Sequence, residues 1–528
     1  MKIAPNSSPN CAVRLSRRAL LASGSALAAL PFLPAVPFAQ DSTPVDGGTL
    51  RLAFSADPAG MDPALGPSGM SHVVIEQIYS TLMSLDPDAQ PYSDLAESHE
   101  MSADGMQYTF HLRQGVKFHN GDDLTAEDVK FTFDRLRAPD SGYAYDSQVA
   151  TIKDVVVVDP LTVRFDLTVP TGPFLTYMAF PGSSIVPKKL VESGHDLNAQ
   201  PIGSGPFKFV SYQPRSMIVF EKNPDFYEEG KPHFDGLEMH LIADVTALTN
   251  AVLSGTVNFS NEIPPKDWET VLSTPGLTGQ TLEGSRFYWL LPNNSKNPMD
   301  DPKVRQAIAH AIDRSAIVQG TFFGQATPIL GGVIPQWNWA YAGLDFFSPG
   351  SNPEKAKALL AEAGHPDGFE ISLTMASSFP AMVSMAPIIQ ANLAAVGIKA
   401  TIDTMEIPRY WDEIWAPSAF DMTAMYWVSP LADPDDFVYN NYHSGTALNV
   451  QLSSDAAMDD ILTKAKTAPT VEERKSAYLQ QQEMSLEQMP IVPLVNAWLL
   501  IAHTDKLKNY KPMRSGFLKT IKDAWLEA

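Results

Sequence analysis

FEISLTMASSFPAMVSMAPIIQANLAAVGIKATIDT, residues 369–404, decides the fold. Residues 369–375 read as a strand, 382–396 as a helix closed by Gly397, and 398–404 as the next strand. A short helix near 409–415 leads to a further strand at 422–427. Strand and helix alternate as β-α-β-α-β, the order that builds a parallel, doubly wound α/β sheet. Such sheets take ligands beyond the carboxyl ends of their strands. The loops 376–379, 405–407 and 428–433 are therefore expected around one site. Ser377, Ser378, Tyr426, Trp427, Ser429 and Asp433 become candidate ligand contacts.

Working outward, Asp301-Pro302 caps a helix that buries Val304, Ala307, Ile308, Ala311 and Ile312. Asn352-Pro353 starts another, which ends at Gly364. Before about residue 286 the pattern differs. Tyr108, Phe110 and Leu112 alternate with Thr109, His111 and Arg113, as in a half-buried strand. Thr125 and Asp128 make a capping box ahead of a helix with Val129, Phe133 and Leu136 on one face. Residues 155–158 and 162–167 read as a hairpin around Asp159-Pro160, and 207–212 with 217–220 as another. A helix from about 246 stops at Gly255.

The chain has 528 residues, 44% hydrophobic and 19% charged, enough for a core divided over two or more domains. Its first 39 residues read as an export signal. Arg17 and Arg18 precede an apolar stretch interrupted by Pro31, Pro34 and Pro37, and residues 16–21 resemble a twin-arginine motif. An ordinary Sec signal is the alternative; cleavage is expected near Ala39. Beyond residue 40 no apolar run is long enough to span a bilayer, so a free periplasmic protein is expected. Cys11 is the single cysteine and lies in the signal, which leaves no disulfide, thiolate metal site or cysteine nucleophile afterwards. The formal charge is −22, and loss of Lys2, Arg14, Arg17 and Arg18 takes it to −26. That balance argues against nucleic acid or anionic lipid as a partner.

No H-E-x-x-H, G-x-S-x-G or G-x-x-x-x-G-K-S/T motif occurs. Gly203-Ser204-Gly205 lacks a third glycine and a following helix, and reads as a tight backbone turn. The 11 histidines show no metal-ligand spacing, and no carboxylate pair stands out. Neither cofactor nor metal is expected. Aromatic residues, in contrast, gather near the inferred cleft: Phe287, Tyr288 and Trp289; Trp337, Trp339 and Tyr341; Tyr410 and Trp411; Tyr426 and Trp427. Core packing accounts for most of them. Trp427, at a strand's carboxyl end, is the strongest ligand contact among them.

MSADGMQYTFHLRQGVKFHNGDDLTAEDVKFTFDRL, residues 101–136, resembles the signature of the family 5 solute-binding proteins of ABC importers, the dipeptide/oligopeptide/nickel group. PIGSGPFKFVSYQP, EKNPDFY, DDPKVRQAIAHAIDR, NPEKAKALLAEAG and Asp433-Pro434-Asp435 agree in order along the chain. The resemblance implies a two-lobed periplasmic-binding-protein fold (type II, cluster C) with an extra subdomain in the first lobe. Lobe I would comprise residues 46–284 plus 497–528, and lobe II residues 285–496. A monomer is expected, closing around a peptide or peptide-like solute and docking on permeases served by ATPases. Family architecture adds Ser55, Asp57, Ser68, Gly69 and Met70 as candidate contacts.

Specificity departs from the peptide-binding pattern. Similar peptide binders place an aspartate three residues before the Asp-Pro of the third loop; here that position is Pro430. The arginine of dipeptide binders is missing from the loop Ala376-Ser377-Ser378-Phe379-Pro380. Asp433 either takes over the ammonium-binding role or only starts a turn or helix. Arg286 and Arg409 are candidate anion anchors, with solvated or ion-paired surface arginines as the plainer reading. Longer or modified peptides, opine-like conjugates and sugar-containing solutes remain as ligands. Nickel is disfavoured because no histidine falls in the three loops. A secreted hydrolase on the same scaffold and a chaperone-like binder of unfolded chains are the rival functions.

Overall fold

The computed structural model describes residues 43–415, 419–431 and 433–527. The expected export signal, its arginine pair, Cys11 and the expected cleavage point at Ala39 lie outside the described residues.

Eleven of the described strands share one mixed sheet. Its order is Lys399–Met405, Glu370–Ala376, Met422–Val428, Leu277–Pro292, Val492–Thr504, Phe259–Ser260, Thr49–Phe54, Gly236–Leu241, Met217–Lys222 and Phe207–Gln213, with Ala326–Pro328 beside Val492–Thr504. Glu370–Ala376 runs parallel to both Lys399–Met405 and Met422–Val428, with the helices Pro380–Ala394 and Ile407–Trp415 as crossovers. That is the unit read from residues 369–427. The sheet as a whole is not parallel, however. Met422–Val428 pairs antiparallel with Leu277–Pro292, which pairs antiparallel with Val492–Thr504. A separate antiparallel sheet joins Ala96–Met101, Gln107–Leu112, Thr162–Leu167 and Ile152–Asp159.

Local chemistry sets the helix starts. Asp128 Oδ2 accepts from the Thr125 N–H at 2.9 Å, which closes the capping box. Asp301 Oδ1 accepts from Lys303 N at 2.8 Å and Asn352 Oδ1 from Lys355 N at 3.1 Å. Each such cap contributes about 1 kcal/mol. Gly203 and Gly205 hold the far end of the helix Gly69–Ile78. The Gly205 N–H donates to the Ile78 carbonyl at 2.8 Å, and a Cβ on Gly203 would stand 2.2 Å from that oxygen. The glycines therefore serve close backbone approach, which no larger residue permits.

Two large apolar cores result. One draws on residues 287–497, among them Trp289, Leu373, Met385 and Tyr410. The other draws on residues 50–259 and on Ile501, Leu518 and Ile521 from the C-terminal end. Leu431 crosses over: it follows the strand Met422–Val428 yet packs in this second cluster. Leu277–Pro292 and Val492–Thr504 run from one region to the other as a pair. Their register slips between Glu283 and Arg286. In the slip, Ser285 turns away from the partner strand. Its N–H donates to the Arg514 carbonyl at 3.0 Å, and its hydroxyl donates to the Ser429 carbonyl at 2.7 Å. A bulge that re-aims one residue thereby ties three distant segments together beside the cavity described next.

Candidate functional site

A cavity of about 510 Å³ opens between the two cores. The strand Thr49–Phe54 brings Phe54 to its wall, and the first turns of Gly69–Ile78 bring Gly69, Met70, His72 and Val73. Ser68 caps that helix by accepting from the Ser71 N–H at 3.1 Å. The helix therefore presents its positive end at the wall. From the other core come Phe379, Trp411 and the strand end Met425, Tyr426, Trp427 and Val428, with Pro430 beyond. Asn261, Glu262, Ser285, Arg286 and the run Arg514 to Phe517 complete most of the remaining wall.

The aromatic wall is braced from behind. Tyr426 stacks on Tyr288 at 5.6 Å between ring centres and meets the edge of Phe379 at 5.2 Å. Trp411 packs against Tyr410 at 5.0 Å, and Tyr410 is itself buried with its hydroxyl donating to the Ala424 carbonyl at 3.1 Å. Phe287, Tyr288 and Trp289 are buried in the core, and Tyr288 supports the wall without lining it.

Charge on the wall is uneven. Arg286 is exposed there and, among the described residues, has no carboxylate within ion-pair distance. Arg514 is anchored: Nη1 donates to the Glu283 carbonyl at 2.9 Å, and the guanidinium lies 4.8 Å over the Trp337 ring. It pairs with Asp88 at 3.5 Å, a carboxylate largely in solvent. Glu262 is the single carboxylate among the lining residues, and its Oε2 accepts from the Ser55 N–H at 2.6 Å. His72 adds no positive charge at neutral pH, because burial pushes its imidazole down to about 4. Its Nε2 is buried without a hydrogen-bond partner.

Of the residues singled out by sequence, Gly69, Met70, Arg286, Trp411, Tyr426 and Trp427 meet on this wall. The others lie elsewhere. Ser55 contributes its N–H to Glu262 from behind the wall. Asp57 accepts from the Tyr212 hydroxyl at 2.6 Å and the Arg215 N–H at 2.7 Å; burial and this carboxylate push the Tyr212 phenol up to about 12. Ser68 is occupied as a helix cap. Ser377 and Ser378 sit outside the wall, Ser378 exposed, while the neighbouring Phe379 reaches it. Ser429 is fully buried behind the strand end. Arg409 is exposed, 3.9 Å from Asp403 and away from the cavity.

Asp433 also lies off the wall. Its two oxygens accept from Arg474 Nη1 at 3.0 Å and Nη2 at 2.6 Å, and Oδ1 accepts from the Asp435 N–H at 2.9 Å. The Tyr177 hydroxyl donates to Asp435, and Lys466 Nζ stands 3.6 Å from the same carboxylate. Burial pushes Asp436 up to about 7; the Ser429 hydroxyl and Trp427 indole oppose the rise, and Asp435 and Asp433 add to it. The acidic stretch is thus an internal ion-pair and hydrogen-bond cluster.

Several wall residues had no sequence signal. His72 lies on an apolar helix face, and Glu262 and Arg514 sit in stretches without a motif. Among the described residues, no group of three or more His, Cys, Asp or Glu could hold a metal, and no helix is long and apolar enough to cross a membrane.

Residues 90–449 match the bacterial extracellular solute-binding proteins, family 5 Middle. The chain belongs to the family 5 solute-binding proteins. It is 30% identical over 508 residues to di/tripeptide-binding protein 2 of Pseudomonas aeruginosa, covering 88% of this chain and 92% of that one. Among solved structures, the periplasmic binding protein DppA of Helicobacter pylori in complex with peptide STSA is similar with a TM-score of 0.80 and 29% identity, over 92% of this chain and 99% of that one. AgaA of A. tumefaciens in complex with agropinic acid is similar with a TM-score of 0.79 and 31% identity, over 91% and 99%. The fold is accordingly the mixed α/β periplasmic-binding-protein fold. Family 5 proteins are non-enzymatic binders, and this chain is the solute-binding component of an ABC importer rather than a hydrolase.

Proposed function

We propose that the chain captures a peptide or peptide-like solute between two lobes in the periplasm and hands it to membrane permeases served by ATPases. The cavity of about 510 Å³ between the cores carries this reading. It falls in the range of sites that enclose small organic ligands, and its largely aromatic wall with a few placed polar groups is the usual lining of such sites. Lobe I comprises residues 46–284 with 497–528, and lobe II residues 285–496. The paired strands Leu277–Pro292 and Val492–Thr504 connect them, and their register slip beside Ser285 is a natural place for hinge closure. Residues 1–39 act as the export signal. A di/tripeptide-binding relative and a peptide-bound neighbour support a peptide solute.

A second reading, a non-peptide amino-acid conjugate of the opine type, is favoured by Pro430 in the wall, by the absence of arginine at 376–380, and by the agropinic acid complex of AgaA. Native mass spectrometry of protein purified from periplasm separates the two. A series of masses differing by residue units supports peptides, and a single non-peptide mass supports the conjugate. Small-angle scattering with and without the released solute tests closure; the same radius of gyration in both states would sink the hinge mechanism.

A further inference from the structure

We infer that the solute is an anionic amino-acid conjugate or short peptide with one ammonium group and at least two carboxylates. The inference rests on the solute-binding reading and concerns what the same cavity selects.

The protein carries 60 acidic and 38 basic side chains, yet two arginines and one glutamate are the ionised side chains on the cavity wall. Elsewhere, some arginines withdrawn from solvent are matched by acids, while the buried Arg305 and Arg314 donate to backbone carbonyls. Arg135 pairs with Asp62, and Arg474 with Asp433 at 2.6 Å. Arg286 has no such partner among the described residues. Arg514 is held by a carbonyl and an aromatic face, and Asp88, 3.5 Å away and largely in solvent, screens its charge only in part. The first turn of Gly69–Ile78, at Gly69 and Met70, adds a third positive element without a side-chain charge.

Closing this wall around a neutral zwitterion would enclose one surplus guanidinium among aromatic rings. Charges interact more strongly once water is excluded, so the surplus charge discriminates among ligands. A solute with two carboxylates balances both arginines. Its single ammonium is balanced by Glu262, whose carboxylate is steadied by the Ser55 N–H at 2.6 Å. A cationic solute would leave Arg286 and Arg514 facing like charge.

The test uses the exported full chain and calorimetric titration with L-alanyl-L-glutamate, L-alanyl-L-alanine and L-alanyl-L-lysine. Their net charges are about −1, 0 and +1 at neutral pH, from ordinary side-chain ionisation. The expected order is glutamate over alanine by at least about tenfold, with lysine weakest. Arg286→Gln, on an exposed side chain, should remove most of that preference, weakening alanyl-glutamate by at least about tenfold relative to alanyl-alanine. Glu262→Gln should weaken all three in common through the shared ammonium. A flat series, or Arg286→Gln lowering all three equally, overturns the inference and leaves the carrier reading standing. If no probe binds, the solute released from periplasmic protein decides by its electrophoretic charge. An anion supports the inference, and a neutral or cationic solute overturns it while leaving the carrier role intact. Protein that neither carries a solute nor binds any probe overturns both.

Discussion

Replacing Asp433 with asparagine should destabilise the protein without emptying its ligand site. Asp433 and Arg474 are each 6% exposed and are joined by two short bonds of 2.6 and 3.0 Å. Burial disfavours the Arg474 charge, and Asp433 more than compensates, leaving the guanidinium firmly protonated. Arg474 also donates through Nε to the Ala465 carbonyl at 3.1 Å and lies 4.9 Å over the Trp339 ring, so it cannot swing out to water without breaking these contacts. Asparagine keeps the shape, offers one acceptor in place of two, and leaves a buried unpaired cation. Removing one partner of such a pair costs about 3–5 kcal/mol. Urea unfolding at pH 7 should show that loss. Titration of the folded variant should show affinity changed by less than about threefold, because neither residue lines the cavity. The double variant Asp433→Leu with Arg474→Met should regain much of the stability, which isolates the unpaired charge as the cause. The reasoning fails if Asp433→Asn loses about tenfold or more in affinity while unfolding changes by less than about 1 kcal/mol, since Asp433 would then be binding the ligand ammonium.

Trp427→Ala should weaken solute binding by more than about 1 kcal/mol, roughly fivefold or more, because it strips an aromatic face from the end of the strand Met422–Val428. Unchanged affinity in a folded variant would remove Trp427 from the site. Glu76 gives a stability prediction with a defined sign. Burial pushes its carboxyl from the usual 4.5 up to about 8, against the Leu518 N–H and Lys519, which favour the ionised form. The native state therefore binds the proton more tightly than the unfolded chain. Its stabilising contribution is complete below about 4.5 and is lost as pH rises through about 8. Glu76→Gln should gain on the wild type as pH rises across that window, with a slope of up to about 1.4 kcal/mol per pH unit. Parallel melting curves against pH for the two proteins would refute this.

What was legible in the sequence was local. The strands and helices of residues 369–427 follow from periodicity and from Gly397, and the position of Tyr426 and Trp427 follows from where such strands end. The antiparallel neighbours were not legible, because nothing within 277–292 names 492–504 as its partner. The same distance hid half of the wall. Ser285 reaches Arg514 across 229 positions only because the register slips beside it, and that bond brings Arg514, Ser515, Gly516 and Phe517 to the cavity. Asp433 fails as a ligand group for a related reason. Its guanidinium partner sits 41 positions away on the helix Val471–Gln488, so the loop looked free when read alone. Asp57 is satisfied in the same manner by Tyr212 and Arg215. Polar residue type announces the capacity to bind a solute, but availability depends on which hydrogen bonds the fold has already assigned. That is why Arg286, exposed and without an acid beside it among the described residues, carries more information about the solute than the three acids of the third loop.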